Sequence, residues 1–231
     1  MERKYDIDNL RWLAILLLFP FHAVQIWSGG EYSGFYIWSH TNTALYVFST
    51  AVYPWYMTIL FVISLTALLI VRLQKKYLPK FRVGSLSYFF IILLFVPEWF
   101  CLYILNIGGK SLGQFMILFL FGYYILSEES ILQKLQQYRF VSLALCILSG
   151  SLYTYLYCFE NTRSIWITGL YIFFGWTVII MLLGMGQSKL NFHNRLSVYL
   201  TQASFPVYIL HMPILVVVGF FTLKLPIGVA G

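Results

Sequence analysis

Long apolar runs with few charges are the feature that most restricts how this chain can fold. A helix that crosses a bilayer needs roughly 20 predominantly apolar residues, and the sequence contains seven stretches near that size. They cover approximately residues 11–28, 44–71, 85–106, 112–127, 140–158, 164–186 and 203–223. The alternating pattern of a membrane barrel is absent. The runs therefore predict an all-α membrane protein, a polytopic helical bundle of about seven spans without a soluble domain.

Composition excludes the other broad classes of protein. Of the 231 residues, 60% are hydrophobic and 10% are charged, whereas a soluble domain has about 25% charged residues. The net charge of +7 does not indicate a nucleic-acid partner, because an excess of Lys and Arg is typical of the cytoplasmic loops of membrane proteins. The three cysteines show neither CxxC nor metal-ligand spacing, so we expect no metal site.

The second run, 44–71, is too long for one straight crossing and contains Pro54. Proline lacks the backbone N–H and disrupts a helix interior. We therefore expect the helix of this run to kink or to begin near Pro54 and Trp55. The fourth run, 112–127, is the shortest of the seven.

Positive charge is distributed unevenly along the chain. If the amino terminus is cytoplasmic and the chain crosses seven times, twelve of the fifteen Lys and Arg residues lie inside. The positive-inside rule favours this orientation. Five of the twelve belong to the basic loop 72–82, which we expect to bind anionic lipid. A phosphate-rich donor is the alternative ligand of that loop.

Arg11 and His22 are ionisable residues at the start of the first run and within it. Ionisable groups in a span are costly and indicate function by default. Eleven helical steps turn about 20° beyond three full turns, so both side chains share one face, about 16 Å apart along the axis. This spacing suits an anionic ligand that enters from the cytoplasm. The alternatives are a headgroup anchor or an ion pair with Asp8 for Arg11, and a packing role for His22.

A second histidine within a predicted span, His211, lies in the last run between Pro206 and Pro213. The two prolines loosen the backbone hydrogen bonding around it. Tyr208 precedes it by three residues and shares its helix face. His211 has two possible roles: it contacts substrate, or it forms a hydrogen bond between helices. Glu98 is an acid well within an apolar run, for which pairing, a surface position and substrate contact are all open.

These residues resemble the signature of the integral-membrane acyltransferase 3 family. In that family an Arg, ten residues and a His open the first span, as Arg11 and His22 do here. Further similar stretches are Pro54–Ser64, Phe95–Glu98, Leu126–Glu129 and Ala203–Pro213. The pattern is most similar to the branch that includes the glucan-modifying succinyltransferases.

The resemblance implies a membrane-bound O-acyltransferase. It would move an acyl group from cytoplasmic acyl-coenzyme A, a donor substrate rather than a permanently bound cofactor, to a hydroxyl of an extracytoplasmic glycan or similar acceptor. His22 would be the catalytic acid/base or acyl-handling residue, and Arg11 would hold the donor's phosphates or carbonyl. His211, Tyr208 and Arg82 would contact substrate. The lipid bilayer is the remaining partner, and we expect a multi-pass protein of the cell membrane, in the bacterial inner membrane.

Compared with the family, the chain is short. We expect a central block to be missing between Ile107 and Gly113, and a final helix to be missing beyond Gly231. Residues 1–231 are therefore interpreted as one shortened acyltransferase-like domain. The alternative is a non-catalytic remnant, a partner subunit or a small permease built on the same helices.

Overall fold

A computed structural model describes residues 4–27, 55–77, 83–107, 110–160 and 163–223, and every element below belongs to that part of the chain. The α-helices are α1 (Tyr5–Trp27), α2 (Trp55–Tyr77), α3 (Tyr88–Leu93), α4 (Phe95–Cys101), α5 (Leu112–Phe121), α6 (Glu129–Gln137), α7 (Arg139–Thr154), α8 (Ile165–Lys189) and α9 (Arg195–Leu223). Two π-helical turns, Gly122–Leu126 and Tyr155–Phe159, extend α5 and α7, and a 3₁₀ turn covers Val83–Ser85. Two short strands are β1 (Asn106–Ile107) and β2 (Lys110–Ser111).

The chain divides into two compact units. Unit 1 takes in Met1–Tyr56 and Phe192–Gly231, and its described part consists mainly of α1 and α9. Unit 2 takes in Met57–Asn191 and contains most of α2 and the elements from α3 to α8. A single domain over residues 1–231 stays a prediction.

In unit 1, α1 and α9 lie side by side and run in the same direction. Near the start of both helices, the rings of Tyr5 and His193 lie 4.7 Å apart between centroids. Farther along both helices, the rings of His22 and His211 lie 5.2 Å apart. The start of α1 therefore contacts the start of α9, and a later turn of α1 contacts a later turn of α9. The two helices are parallel.

Helix α9 begins at Arg195, eight residues before the apolar run that predicted it. Its start is stabilised by a reciprocal cap. The backbone N–H of Ser197 donates to Asn194 Oδ1 over 2.7 Å, and the backbone N–H of Asn194 donates to Ser197 Oγ over 3.1 Å. Such a capping box satisfies donors that the first helical turn leaves unpaired. Hydropathy alone misses this start because Arg195, Ser197, Thr201 and Gln202 interrupt the apolar residues of the first turns.

Unit 2 packs around Trp176 of α8, which is completely buried. Its ring meets Phe121 of α5 edge to face at 5.6 Å, and its indole N–H donates to the carbonyl of Ile91 over 2.8 Å. The other buried members of this core are Ile131, Leu135 and Ile180. The core therefore joins α3, α5, α6 and α8.

The third predicted run, 85–106, is not one continuous helix: α3 ends at Leu93 and α4 begins at Phe95. Pro97 causes this break, because it has no N–H to donate to the carbonyl of Leu93 and its ring crowds that carbonyl. The break also leaves the carbonyl of Ile91 accessible to the indole of Trp176.

The fourth run, 112–127, ends in a sharp bend rather than in a straight span. The helix over Leu112–Leu126 meets α6 at 93°. Apolar side chains of α6, Leu132 among them, are buried within unit 2. On the same helix, Lys134 Nζ donates to the carbonyls of Gly84 and Leu86 over 3.0 and 2.7 Å. These bonds fasten α6 to the 83–87 segment.

The all-α fold class is confirmed for the described residues, and the two short strands are a local addition to it. They pair antiparallel, with Asn106 opposite Ser111 and Ile107 opposite Lys110. The strands lie in the polar segment 106–111 between two apolar runs, where hydropathy gives no signal for a pairing of two residues each. Apart from this hairpin, the regular structure in the described part of the chain is helical.

Among the described residues, two helices are long and apolar enough to cross a membrane, Arg139–Phe159 with 21 residues and Ile165–Lys189 with 25. The bent pair Leu112–Leu126 and Glu129–Gln137 makes a third if it forms one span. Seven spans and a cytoplasmic amino terminus are not confirmed and stay predictions. Helix α2 begins at Trp55, next to Pro54 as predicted, whereas the rest of the second run before Trp55 lies outside the described residues.

Candidate active site

The two histidines predicted to lie within spans meet in unit 1. The ring centroids of His22 on α1 and His211 on α9 are 5.2 Å apart, and the ring planes are inclined by 35°. Phe19, one helical turn before His22, places its ring edge to face against His211 at 6.0 Å. The structure therefore joins two residues that the sequence separates by most of its length.

Hydrogen bonding defines the protonation pattern of neutral His211. Its Nδ1 lies 2.5 Å from the backbone carbonyl of Tyr208. Because a carbonyl oxygen only accepts hydrogen bonds, Nδ1 must carry the proton and Nε2 must carry the lone pair. That Nε2 is buried and has no hydrogen-bond partner among the described residues. His211 thus presents a buried acceptor nitrogen.

Prolines flank the histidine pair on both helices. Pro20 lies two residues before His22, and Pro213 lies two residues after His211. Proline has no N–H, so the carbonyls of Leu16 and Ile209 lose the donor that a regular helix would give them. In a membrane helix such carbonyls form part of the polar environment of a site.

Small polar side chains line α9 between its start and His211. Ser197, Thr201 and Ser204 are buried, and together with His211 they recur every three, four or seven residues on one helix face. Small side chains let two membrane helices approach closely. Ser204 Oγ donates to the carbonyl of Thr201 over 2.7 Å, so part of this stripe is satisfied within its own helix.

The start of α1 contributes buried polar residues that the sequence argument did not select. Asn9 is almost fully buried and donates from Nδ2 to the carbonyl of Phe192 over 2.9 Å. The same side chain accepts the indole N–H of Trp12 over 2.9 Å. Asp6 is also buried. Their spacing of three residues along α1 was the available signal, because it places Asp6 and Asn9 on one face.

Arg11 forms the local ion pair that was one of its predicted alternatives. Its guanidinium nitrogen Nη2 lies 2.9 Å from Asp8 Oδ1, and 55% of the Arg11 side chain is exposed. No contact between described residues joins Arg11 to His22. The guanidinium has five N–H donors, so the pairing with Asp8 leaves donors available for a ligand.

Tyr208 and Arg82 are the remaining residues that were predicted to contact substrate. The Tyr208 ring lies 5.5 Å from the ring of His211, so these two are brought together. Arg82 lies outside the described residues.

Glu98 is a buried acid of unit 2, with 3% of its surface exposed. Its Oε1 accepts a hydrogen bond from Gln114 Nε2 over 3.0 Å, whereas Oε2 has no hydrogen-bond partner in the described part of the chain. Of the alternatives predicted for this residue, a surface position is wrong, and pairing with a neutral amide is observed. Its apolar surroundings in the third run could not have revealed Gln114 as the partner.

Comparison with known proteins adds one finding. The model of the acyltransferase 3 family, described as an acyltransferase domain, matches residues 26–230. The match includes Tyr208 and His211 and begins after Arg11 and His22. No curated protein and no solved structure matches the chain. The long apolar helices agree with a membrane protein. The chain belongs to the acyltransferase 3 family and is an acyltransferase.

Proposed function

We propose that the protein transfers an acyl group from cytoplasmic acyl-coenzyme A to a hydroxyl of an extracytoplasmic glycan or similar acceptor. The observation that carries this proposal is the pairing of His22 with His211 inside unit 1. A neutral imidazole exchanges a proton near pH 7, which is what transfer to a hydroxyl requires. The likeness to the glucan-modifying succinyltransferases makes a succinyl group and a glucan the first substrates to test.

Arg11 is the proposed anchor for the donor. It lies eleven residues before His22 on α1, about 16 Å along the axis. An anionic donor held at Arg11 would extend along α1, and its thioester would then approach His22. The guanidinium suits phosphate because its planar fork bonds two oxygens at once. Arg82 and the rest of the basic loop 72–82 are proposed from the sequence as further donor contacts, with Tyr208 and His211 as acceptor contacts.

The parallel pairing of α1 and α9 supports the proposed topology. If both helices cross the membrane in the same direction, the total number of crossings from α1 to α9 is odd. Seven crossings with the amino terminus inside satisfy this condition and place most of the positive charge in the cytoplasm. A multi-pass position in the bacterial inner membrane is proposed on this basis.

The test is acyl transfer in proteoliposomes that contain the full chain. Radiolabelled succinyl- or acetyl-coenzyme A is the donor, and short glucose oligosaccharides are the acceptor. His22→Ala should lower the transfer rate by about 10²–10⁴-fold, whereas His193→Ala, in the same unit, should transfer at the wild-type rate. Full activity of His22→Ala would contradict the role of His22.

Donor anchoring is tested separately with coenzyme A binding, measured as a ligand-induced thermal shift at low and high salt. Arg11→Lys keeps the charge and loses the fork, so it should weaken binding. The contribution of exposed phosphate contacts should shrink at high salt because the Debye length becomes shorter. If Arg11→Lys binds coenzyme A as wild type does at both salt concentrations, Arg11 does not anchor the donor and serves only as the ion-pair partner of Asp8.

A further inference from the structure

We infer that His211 is the base that takes the proton from the acceptor hydroxyl, while His22 acts on the acyl donor. This inference rests on the proposed function and deepens it, because it divides the reaction between the two helices of unit 1. It assigns to His211 a catalytic role beyond substrate contact.

The imidazole of His211 has a defined tautomer and orientation. Since Nδ1 donates to the carbonyl of Tyr208, the lone pair of neutral His211 is on Nε2. The His211 side chain is 5% exposed, and Nε2 has no hydrogen-bond partner among the described residues. A buried acceptor without a donor is costly and calls for an explanation. A hydroxyl group is a donor that matches this nitrogen.

The geometry of the base is fixed. The bond from Nδ1 to Tyr208 holds the ring within its own helix, and the Phe19 ring meets it edge to face at 6.0 Å. A partner on the far nitrogen that fixes tautomer and orientation is the arrangement by which histidine bases are prepared for catalysis. In His211 this partner is a backbone carbonyl, which side-chain substitution at Tyr208 does not remove.

Charged residues are distributed differently on the two helices. Helix α1 carries Asp6 and Asp8 in its first turn and one cation, Arg11, eleven residues before His22, so the proposed donor anchor and His22 belong to one helix. After Arg195 at its start, α9 contains no charged residue up to Leu223. Because the proposed donor anchor Arg11 belongs to α1, the acceptor hydroxyl is assigned to α9. With ring centroids 5.2 Å apart, the two imidazoles can serve one reacting centre from adjacent positions.

The proposed step is balanced as follows. The O–H bond of the acceptor breaks, and its proton goes to His211 Nε2. The hydroxyl oxygen forms a bond with the acyl carbon, and the bond between that carbon and the coenzyme A sulfur breaks with its electron pair left on sulfur. The thiolate then takes up a proton, and His211 returns to the neutral form by releasing one. No oxidant, reductant or further reactant is needed.

The experiment compares His211→Gln, His211→Ala and the control His193→Gln, with the donors and acceptor named above. Gln cannot act as a base, so kcat at saturating acceptor should fall by about 10²–10⁴-fold. The KM for the donor and the thermal shift caused by coenzyme A should match wild type, which also shows that the variant is folded. His193→Gln should retain wild-type kcat.

Chemical rescue separates a base from a structural residue. Imidazole added to His211→Ala should raise the transfer rate about tenfold or more, and more basic substituted imidazoles should rescue better, as Brønsted behaviour requires. Wild-type kcat in His211→Gln, a loss confined to the donor KM, or absence of rescue would each overturn the inference. Failure of the wild type to transfer from either donor would instead contradict the proposed function itself.

Discussion

Buried polar side chains in unit 1 line the contact between two parallel helices that carry a pair of histidines, whereas those of unit 2 mostly bond to backbone carbonyls. The indole of Trp176 bonds Ile91 beside the break at Leu94. Lys134 bonds two carbonyls of the 83–87 segment. In unit 1, His211 Nε2 is a buried acceptor without a donor among the described residues.

Polar groups that hold the fold together can be distinguished from polar groups that are available for chemistry. A polar group that is fully paired within the bundle can be explained by the cost of leaving a backbone carbonyl unbonded in an apolar environment. A polar group with a fixed orientation and a buried, unpaired atom has no such explanation. By this criterion, substitutions in unit 2 should change the free energy of unfolding, and substitutions of the histidine pair should change the rate of acyl transfer. Unit 2 has three exceptions among the described residues, because the buried atoms Glu98 Oε2, Trp99 Nε1 and Gln187 Oε1 have no hydrogen-bond partner there.

The largest effect on stability is expected for Trp176→Ala. This change removes a completely buried ring and its hydrogen bond to Ile91, and it should cost about 3–5 kcal/mol of unfolding free energy. Trp166→Ala on the same helix is the control, since that side chain is 74% exposed. Unfolding in detergent measures both. If Trp176→Ala and Trp166→Ala unfold with equal free energy, Trp176 is not the centre of the unit 2 core.

A smaller loss of unfolding free energy is expected for Gly184→Ala. A Cβ at this position would collide with the backbone carbonyl of Leu135, which cannot move independently of α6. Overpacking of this kind costs about 1–3 kcal/mol. Gly175→Ala on the same helix is the matched control, because a Cβ there meets no atom within 4 Å. Melting temperatures should separate the two variants, and a stable Gly184→Ala would show that α6 is not tightly docked on α8.

The smallest effect on unfolding free energy is expected for Asn194→Ala in unit 1. Loss of the capping box at the start of α9 should cost about 1 kcal/mol, with kcat per folded molecule unchanged. Asn191→Ala, just before α9, serves as the control. A marked fall in kcat for Asn194→Ala at full folding would mean that the helix start takes part in the chemistry, and the separation of stability from rate within unit 1 would be lost.

Much of this organisation can be predicted from the sequence. Hydropathy locates most of the helices, Pro54 marks the start of α2, and an ionisable residue within an apolar run identifies both His22 and His211. The pairing of the histidines could not be predicted, because the order of spans along a chain does not determine which helices touch. The parallel contact of α1 with α9 supplies that information.

Other features escaped prediction for local reasons. The break at Leu94 depends on a single missing donor at Pro97, within a run whose hydropathy is continuous. The 93° bend before α6 follows an apolar stretch that resembles an ordinary span. Burial of Asn9 was missed because an amide near a helix start is usually exposed.

The most direct test of the central claim is a double-mutant cycle on the histidine pair, with kcat for acyl transfer measured in His22→Ala, His211→Gln and the combined variant. Residues that act as one catalytic unit are strongly non-additive. We therefore expect the double variant to be no slower than the slower single variant, with coenzyme A still bound. Losses that multiply in the double variant would show that His22 and His211 act independently, and would contradict the assignment of their contact as the active site.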